Sequence, residues 1–176
     1  MRRLIVSSFV SLDGVIGDPR AWASEYFDEQ AVQKSLAVLQ SCDAMLMGTN
    51  TYEYFAPAWS AATDPYGARI TAMPKYVFSS SLTSAEWNNT IVVSADAVAA
   101  AAELKQQDGG DLIMYGYGRL AQAFLEHGLV DELNIGIHPV IVGHGTPLFR
   151  PGPSKAMQLT AVERSATGVV SLTYSA

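Results

Sequence analysis

The sequence predicts a three-layer α/β domain with a mixed, mainly parallel sheet of about eight strands, helices on both faces and a C-terminal antiparallel hairpin. Two observations predict this class. Strand and helix segments alternate through five strands, and three strand segments then follow without helices. Parallel strands need long crossovers, whereas antiparallel neighbours need only a turn. No internal repeat or low-complexity linker appears, so residues 1–176 are interpreted as one domain.

The N-terminal half supplies four of the predicted strands. The first is apolar or small on both faces, as in a strand buried within a sheet, and it ends in a glycine-rich loop that reaches Trp22. Asp28 and Glu29 lie at the positive end of the first helix, and the lone Cys42 falls at its other end. The predicted elements are a strand over residues 4–12, a helix over 27–40, a strand over 44–47, a short helix over 49–55 before Pro57, one helical turn over 68–72 in the loop 58–74, and strands over 75–79 and 90–93.

The C-terminal half begins with an alanine-rich helix that Ser94 or Asp96 caps. A buried strand then meets a helix through Gly116 and Gly118. Pro139 forces a bulge or an edge position on the following strand, because proline lacks the N–H that a sheet uses. The predicted elements are a helix to about residue 107, a strand over 112–115, a helix containing Leu120, Ala121, Phe124 and Leu125, a strand over 132–141, and a hairpin of strands over 158–164 and 169–174.

Composition limits the class of protein. Hydrophobic residues make up 49% of the chain, yet no apolar run approaches the roughly 20 residues of a membrane span. A single Cys42 cannot form an internal disulfide, which fits a cytoplasmic location. The net charge of −6 argues against nucleic-acid binding. The basic start at Arg2 and Arg3 is interpreted as part of the first strand rather than a signal peptide.

No metal site or nucleophile–base pair is predicted. The chain has no C-x-x-C, no H-E-x-x-H and no zinc-deaminase signature. Each of the three histidines lies next to a glycine or proline that ends an element, namely His127, His138 and His144. His127 is interpreted as a residue at the end of a helix. A metal ion is therefore not expected.

The strand, glycine turn and helix over residues 111–125 form a candidate phosphate site. Unpaired N–H groups and the positive end of a helix dipole meet there, although G-x-G alone also occurs in ordinary turns. The loops 13–22, 48–51 and 116–119 should converge at the carboxyl edge of the sheet. A nucleotide site without hydrolytic groups suits hydride transfer. The glycine turn follows the fifth strand rather than the first, which excludes a Rossmann fold.

Several spaced motifs run along nearly the whole chain. They are Ser11-Leu-Asp-Gly14, Val15-Ile-Gly17, Met47-Gly-Thr-Asn-Thr-Tyr-Glu53, Val77-Phe-Ser-Ser-Ser-Leu82, Gly116-x-Gly118 with Leu120, Gly128-Leu-Val-Asp-Glu132, and Pro139-Val-Ile-Val-Gly-His-Gly145 with Leu148-Phe149. Together they resemble the dihydrofolate reductase superfamily. The closer branch is the reductase domain at the C-terminal end of bacterial bifunctional riboflavin-biosynthesis deaminase/reductase proteins, with its stand-alone relatives. The resemblance implies a dihydrofolate reductase-like fold.

The resemblance also implies a site for NADPH, with NADH as the alternative. The implied cofactor-binding residues are Val15, Ile16 and Gly17 over the nicotinamide; Gly48, Thr49, Asn50 and Thr51 at a phosphate; Ser79, Ser80 and Ser81 at the ribose and its 2′-phosphate; and Gly116, Tyr117, Gly118, Arg119 and Leu120 at the pyrophosphate. Thr49 and Ser80 replace basic residues usual in related sequences. This loss removes positive charge from the place of a 2′-phosphate, which leaves NADPH and NADH both open.

The implied reaction is hydride transfer to a pyrimidine- or pterin-like small molecule, with 5-amino-6-(5-phosphoribosylamino)uracil as one candidate. Two candidate catalytic residues follow. Asp28 matches the carboxylate that binds a pterin ring in folate-reducing members, or it caps the first helix. Asp13 orients substrate, or it bonds its own turn. Trp22, Phe27 and Trp59 are candidate substrate-binding residues, and the alternative for each is core packing.

A rival function is a non-catalytic nucleotide-binding or dimerisation module that kept the fold, which the missing positive charges favour. A homodimer is expected, because the strands 132–141 and 169–174 are long edges that need covering and relatives pair there. No nucleic-acid or membrane partner is expected.

Overall fold

One eight-stranded sheet forms the centre of the molecule. The computed structural model describes all 176 residues. The strands are β1 (Leu4–Ser11), β2 (Cys42–Gly48), β3 (Lys75–Phe78), β4 (Thr90–Val93), β5 (Asp111–Tyr115), β6 (Glu132–His138), β7 (Gln158–Arg164) and β8 (Val170–Ser175). They lie in the order β4-β3-β2-β5-β1-β6-β8-β7.

The strand directions confirm the predicted class. Neighbouring strands from β4 to β6 are all parallel. Strand β8 is antiparallel to both β6 and β7, so it alone runs against the rest. A tight turn before Gly168, whose φ is +90°, joins the two strands of this hairpin. The sheet is therefore mixed and mainly parallel, with a C-terminal antiparallel hairpin.

Helices cover both faces of the sheet, which makes three layers. The helices are α1 (Glu29–Ser41), α2 (Thr49–Trp59), α3 (Pro65–Ala72), α4 (Ala97–Gln106) and α5 (Arg119–Glu126), with single 3-10 turns at Pro19–Ala21 and Ser24–Tyr26. Leu104 of α4 and Phe124 of α5 belong to the buried cluster on one face. Leu39 of α1 and Ile70 of α3 belong to the cluster on the other face. None of these helices combines the length and the hydropathy needed to cross a membrane.

Strand β6 is shorter than predicted, because it ends at His138 and excludes Pro139. Proline has no N–H for the ladder, so pairing stops where it enters. The chain then returns to the loop that follows β1. Thr146 accepts a backbone hydrogen bond from Ile16 at 2.9 Å, and Leu148 donates one to Gly14 at 2.8 Å.

The region between β2 and β3 is more helical than predicted. Helix α2 continues through Pro57 to Trp59, because its apolar side packs on the core and outweighs one missing hydrogen bond. Helix α3, eight residues long, lies within the predicted loop and is longer than the single turn predicted there. Asp64 caps it by accepting from the N–H groups of Tyr66 and Gly67, both at 3.1 Å. The Asp64-Pro65 pair is a helix-start signal that the turn interpretation missed.

Candidate functional site

Four predicted cofactor segments lie at one edge of the sheet. Strands β3, β2, β5 and β1 are consecutive in the sheet and point the same way. The segments 79–81, 48–51, 116–120 and 15–17 follow these strands in that order. The sheet topology therefore gathers segments that are far apart in sequence.

Two helices that start at this edge, α2 and α5, differ from the other helices. Helices α1, α3 and α4 begin with Asp28, Asp64 and Asp96, whose carboxylates accept from first-turn N–H groups. Helices α2 and α5 begin after Gly48 and Gly118 and have no side-chain cap. Their first-turn N–H groups remain without intrahelical acceptors, beside the positive ends of the two dipoles. Such a pair of helix starts suits the phosphates of a dinucleotide.

The glycine turn after β5 leaves open space beside its backbone. Gly116 has a φ of +81°, a conformation that favours glycine. A Cβ added at Gly116 or Gly118 would meet no atom within 4 Å. A Cβ added at Gly48 would contact the Cδ2 of Leu120 at 3.9 Å, so the starts of α2 and α5 are neighbours. A ligand can thus approach both backbones closely.

Tyr117, in the middle of this turn, points into the protein. Its side chain is buried with the α4–α5 core and packs on Phe149 with a centroid distance of 5.2 Å. Burial raises the pKa of its hydroxyl. Tyr117 therefore offers a ligand its backbone, whereas Arg119 next to the turn is exposed.

Ser79 links the end of β3 to the start of α2. Its Oγ accepts from Thr49 Oγ1 at 2.8 Å and from the backbone N–H of Leu82 at 2.9 Å. Ser80 is exposed. The place implied for a 2′-phosphate thus carries hydroxyl and N–H groups. The two segments that form it, 48–51 and 79–81, contain no lysine or arginine.

The carboxylate of Asp13 binds two loops together. It accepts from Ser11 Oγ at 2.6 Å and from the N–H groups of Val142 and Gly143 at 3.1 and 2.7 Å. The Ser11 hydrogen bond, followed by the two backbone bonds, lowers the pKa of Asp13 to about 2. Asp13 therefore does bond its own turn, and its catalytic role stays a prediction.

The predicted nicotinamide segment is held on both sides. Val15 is buried and forms an isolated bridge with Pro147. The indole N–H of Trp22 donates to the carbonyl of Gly17 at 2.9 Å. These contacts fix the course of the loop beside the glycine turn.

A cavity of about 250 Å³ lies between α1 and the sheet. Side chains alternate along a strand, so Glu132, Asn134 and His138 of β6 share the face that lines it. Its other walls include Ser7 and Phe9 of β1, Gln30, Lys34 and Ser35 of α1, Tyr115 of β5, and Ser171 and Thr173 of β8. No motif in the sequence predicts this cavity.

One end of the cavity is aromatic. The ring of His138, only 2% exposed, lies edge-on to Phe9, Trp22 and Tyr26 at centroid distances of 5.0, 5.5 and 5.7 Å. Phe27 packs against Phe9 at 5.2 Å. Burial lowers the pKa of His138, and its Nδ1 lies 3.0 Å from the carbonyl of Gly136. A neutral ring that donates from Nδ1 satisfies both facts.

The three predicted substrate-binding aromatics have different positions. Phe27 lines the cavity. Trp22 is connected to it through His138. Trp59 lies apart, where it packs on Tyr66 at 5.2 Å. Their roles in substrate binding stay predictions.

The other end of the cavity is polar. Lys34 and Glu163 form a salt bridge between α1 and β7. Glu132 accepts from Asn134 Nδ2 at 3.1 Å and from Arg3 Nη1 at 3.4 Å. The charges that line this end are thus largely paired within the protein.

Tyr115 connects the cavity to the glycine turn, since it lines the cavity and immediately precedes Gly116. Its ring stacks on Phe55 with a centroid distance of 5.7 Å. Its hydroxyl accepts from the hydroxyl of Tyr66 at 3.0 Å. Burial raises the pKa of Tyr115 well above its ordinary value, so the phenol stays protonated at neutral pH.

Asp28 acts as the cap of α1. Its Oδ1 accepts from the N–H of Ala31 at 2.8 Å. It is not among the residues that line the cavity, although Phe27 before it is. The capping alternative is therefore observed, and a catalytic role for Asp28 stays a prediction.

Tyr115, Asn134 and His138 line the cavity and are not among the residues predicted from the sequence. A signal was present in β6, where Glu132, Asn134 and His138 occupy alternate positions of an otherwise apolar strand. Alternating polar residues in an interior strand indicate a sheet face that is not packed as core. Tyr115 has no comparable signal, because tyrosine is common in strands.

Known proteins resemble this chain over nearly its full length. The uncharacterized protein YyaP of Bacillus subtilis (strain 168) is 26% identical over 98% of this chain and 94% of its own. A crystal structure from Shewanella sp. PV-4, provisionally named a riboflavin biosynthesis protein, is 25% identical with a TM-score of 0.77 and covers 98% of both chains.

The third similar protein has two activities in its name. It is the diaminohydroxyphosphoribosylaminopyrimidine deaminase/5-amino-6-(5-phosphoribosylamino)uracil reductase of Thermotoga maritima, with a TM-score of 0.71, 16% identity, and coverage of 99% of this chain and 56% of that one. At this identity the match shows the fold alone. The family model described as the RibD C-terminal domain matches residues 2–171. The chain therefore belongs to the RibD C-terminal domain family.

Proposed function

We propose that this protein is a reductase that uses NADPH or NADH to transfer a hydride to a flat, pyrimidine- or pterin-like ring. The observation that carries the proposal is the position of Tyr115 and Gly116. One residue lines the cavity, and the next begins the glycine turn between the two uncapped helix starts. A dinucleotide at the turn and a ring in the cavity would therefore meet at the end of β5.

The residues at the carboxyl edge fit a dinucleotide. Backbone N–H groups at the starts of α2 and α5 would bind the phosphates, with Gly116 and Gly118 leaving room for them. The Thr49–Ser79 pair would bind the ribose. When bound, the reduced nicotinamide supplies the hydride. The fixed loop over residues 15–17 would cover that ring and exclude water.

Reduction also needs a proton, and Tyr115 is placed to donate it. Its oxygen already accepts from Tyr66, so its own O–H is free to point into the cavity. Hydride addition to a C=N or C=O bond leaves an electron pair on nitrogen or oxygen, which the Tyr115 proton would neutralise. Neither Asp13 nor Asp28, the two predicted catalytic residues, lines the cavity, so we assign the proton to Tyr115.

The cavity suits a single ring. Its volume of about 250 Å³ lies just below the roughly 300 Å³ at which small-molecule sites usually begin. The uracil named for the Thermotoga maritima protein is one candidate, with its ring in the cavity. A smaller aminopyrimidine or pterin is the other.

Calorimetry with NADPH and NADH tests the first step of this proposal. We expect binding of both, with a modest preference between them, because no basic side chain lies in the segments at Thr49 and Ser80. Oxidation of the bound cofactor is then followed with aminopyrimidines and pterins. Binding of neither dinucleotide would refute the proposal.

A second candidate is a nucleotide-binding module without catalysis. The missing positive charge at Thr49 and Ser80 favours it. Tight dinucleotide binding without oxidation by any ring compound would support this candidate over the reductase.

We also propose a homodimer. The prediction that strands 132–141 and 169–174 are edges is wrong, because β6 and β8 each pair with a strand on both sides. The edge at this end of the sheet is β7, which exposes Leu159 and Val162 by 47% and 57%. A second copy would cover these apolar side chains and the free edge. Light scattering on the purified chain should give twice the monomer mass of 18.9 kDa.

A further inference from the structure

The floor of the cavity contains a buried acceptor without a partner. Asn134 lies in the middle of β6 and lines the cavity, and its Oδ1 is buried with no hydrogen bond. Buried side-chain oxygens in native proteins nearly always have a donor. This atom therefore calls for one that the protein itself does not provide.

The orientation of the Asn134 amide is fixed by its neighbour. Nδ2 donates to Glu132 Oε1 at 3.1 Å, and Glu132 is in turn bonded by Arg3. A carboxylate only accepts, so turning the amide round would place two acceptors together. The oxygen, and not the nitrogen, is thus the free end of the amide.

The strands beside Asn134 continue this polar surface. In the sheet register, Ser7 of β1 and Thr173 of β8 lie directly opposite Asn134, and both line the cavity. Neither hydroxyl bonds to the Asn134 oxygen. The opposite face of β6 carries Leu133 and Ile135, which are buried in the core. On β6, polar side chains therefore occupy only the cavity side.

We propose that Asn134 determines substrate specificity by accepting a hydrogen bond from an N–H group of the ring in the cavity. Rings with amino or ring N–H groups are selected over rings of the same shape that lack them. Glu132 and Arg3 are positioning residues, because they hold the amide in this orientation. The inference rests on the proposed function, since the ring is the proposed hydride acceptor.

Binding of two matched rings to the NADPH-loaded protein tests the inference. The probes are 2,4-diaminopyrimidine and 2,4-dimethylpyrimidine, which differ by exchange of amino for methyl groups. We expect the diamine to bind at least about tenfold more tightly, because only it can satisfy the buried oxygen. In Asn134→Leu, which has a similar volume and no acceptor, this preference should fall to about twofold or less.

The matched control makes the same change outside the cavity. Asn88→Leu lies in the exposed turn before β4, and it should keep the full preference for the diamine. Glu132→Gln keeps the shape of the positioning residue, but its amide can donate as well as accept. The Asn134 amide is then free to turn, so the preference for the diamine should fall part of the way.

The outcomes separate the inference from the proposed function. Equal binding of the two probes, or binding of neither, to protein that binds NADPH would overturn the inference and leave the cofactor proposal standing. Protein that binds no dinucleotide would overturn the proposed function. If Asn134→Leu does not fold, a crystal structure of the wild-type complex decides the matter. An amine nitrogen about 3 Å from Asn134 Oδ1 supports the inference, and a water at that place overturns it.

Discussion

The two faces of β6 show how one strand serves both stability and binding. On one face, Leu133 and Ile135 are 2% and 6% exposed and pack into the core with α4 and α5. On the other, Glu132, Asn134 and His138 line the cavity under α1. An apolar face gains free energy by excluding water, whereas a polar face in the same sheet needs a partner for each buried group. The difference indicates that the cavity face is kept for a ligand.

Truncating a side chain on the core face of β6 should have the largest effect on stability. We expect Leu133→Ala to reduce the free energy of unfolding by about 2–5 kcal/mol, because it leaves a cavity in a packed cluster. Ser7→Ala on the cavity face should change it by less than about 0.5 kcal/mol, since that hydroxyl has no partner in the protein. Denaturant unfolding measures both. Similar losses for the two variants would contradict the division between the faces.

Removing the proposed acid should have the largest effect on catalysis. Tyr115→Phe keeps the ring that stacks on Phe55 but loses the hydroxyl, so we expect kcat to fall about 100-fold or more. Dinucleotide affinity should stay close to that of the wild type. Tyr66→Phe is the comparison variant and should cost less, because Tyr66 acts through Tyr115. A Tyr115→Phe enzyme with full kcat would exclude this residue as the proton donor.

Capping helix α5 should weaken dinucleotide binding. Gly118 has extended backbone angles and free space for a Cβ, so Gly118→Asp should fold. Its carboxylate would occupy the first-turn N–H groups and repel phosphate, and we expect at least about a tenfold loss of affinity. Gly118→Asn adds a neutral cap. The difference in dinucleotide affinity between the two variants, measured by calorimetry, gives the effect of the charge. Equal affinities would contradict a phosphate at this place.

The smallest effect on stability should come from removing the Asp13 carboxylate, which connects two loops by hydrogen bonds. In the folded protein Asp13 has a pKa of about 2, below that of a free carboxylate. Its contribution to the free energy of unfolding is therefore fully present above about pH 4 and is lost as the pH falls toward 2. We expect Asp13→Asn to lower the melting temperature slightly at pH 7. The difference from wild type should disappear near pH 2. A difference that stays constant with pH would show that the carboxylate charge is not involved.

Local sequence signals predicted most elements and failed where packing overrode them. Glycines and alternating strand and helix segments correctly predict that the segments 48–51 and 116–120 lie at the carboxyl edge of the sheet, and their role in binding a cofactor stays a prediction. Pro57 predicts the end of a helix, yet α2 continues through it because the next turn packs on the core. The apolar run predicts a strand that includes Pro139, whereas β6 ends at His138.

The sequence by itself determined the fold class, the order of the elements and the glycine turn, because these depend on periodicity and on backbone freedom within a few residues. Only the tertiary structure placed Tyr115, Asn134 and His138 around one cavity. They come from strands β5 and β6, and α1 closes the cavity from a distant part of the chain. Which polar side chains end up facing one another depends on sheet register and on helix packing, and neither can be read from local sequence.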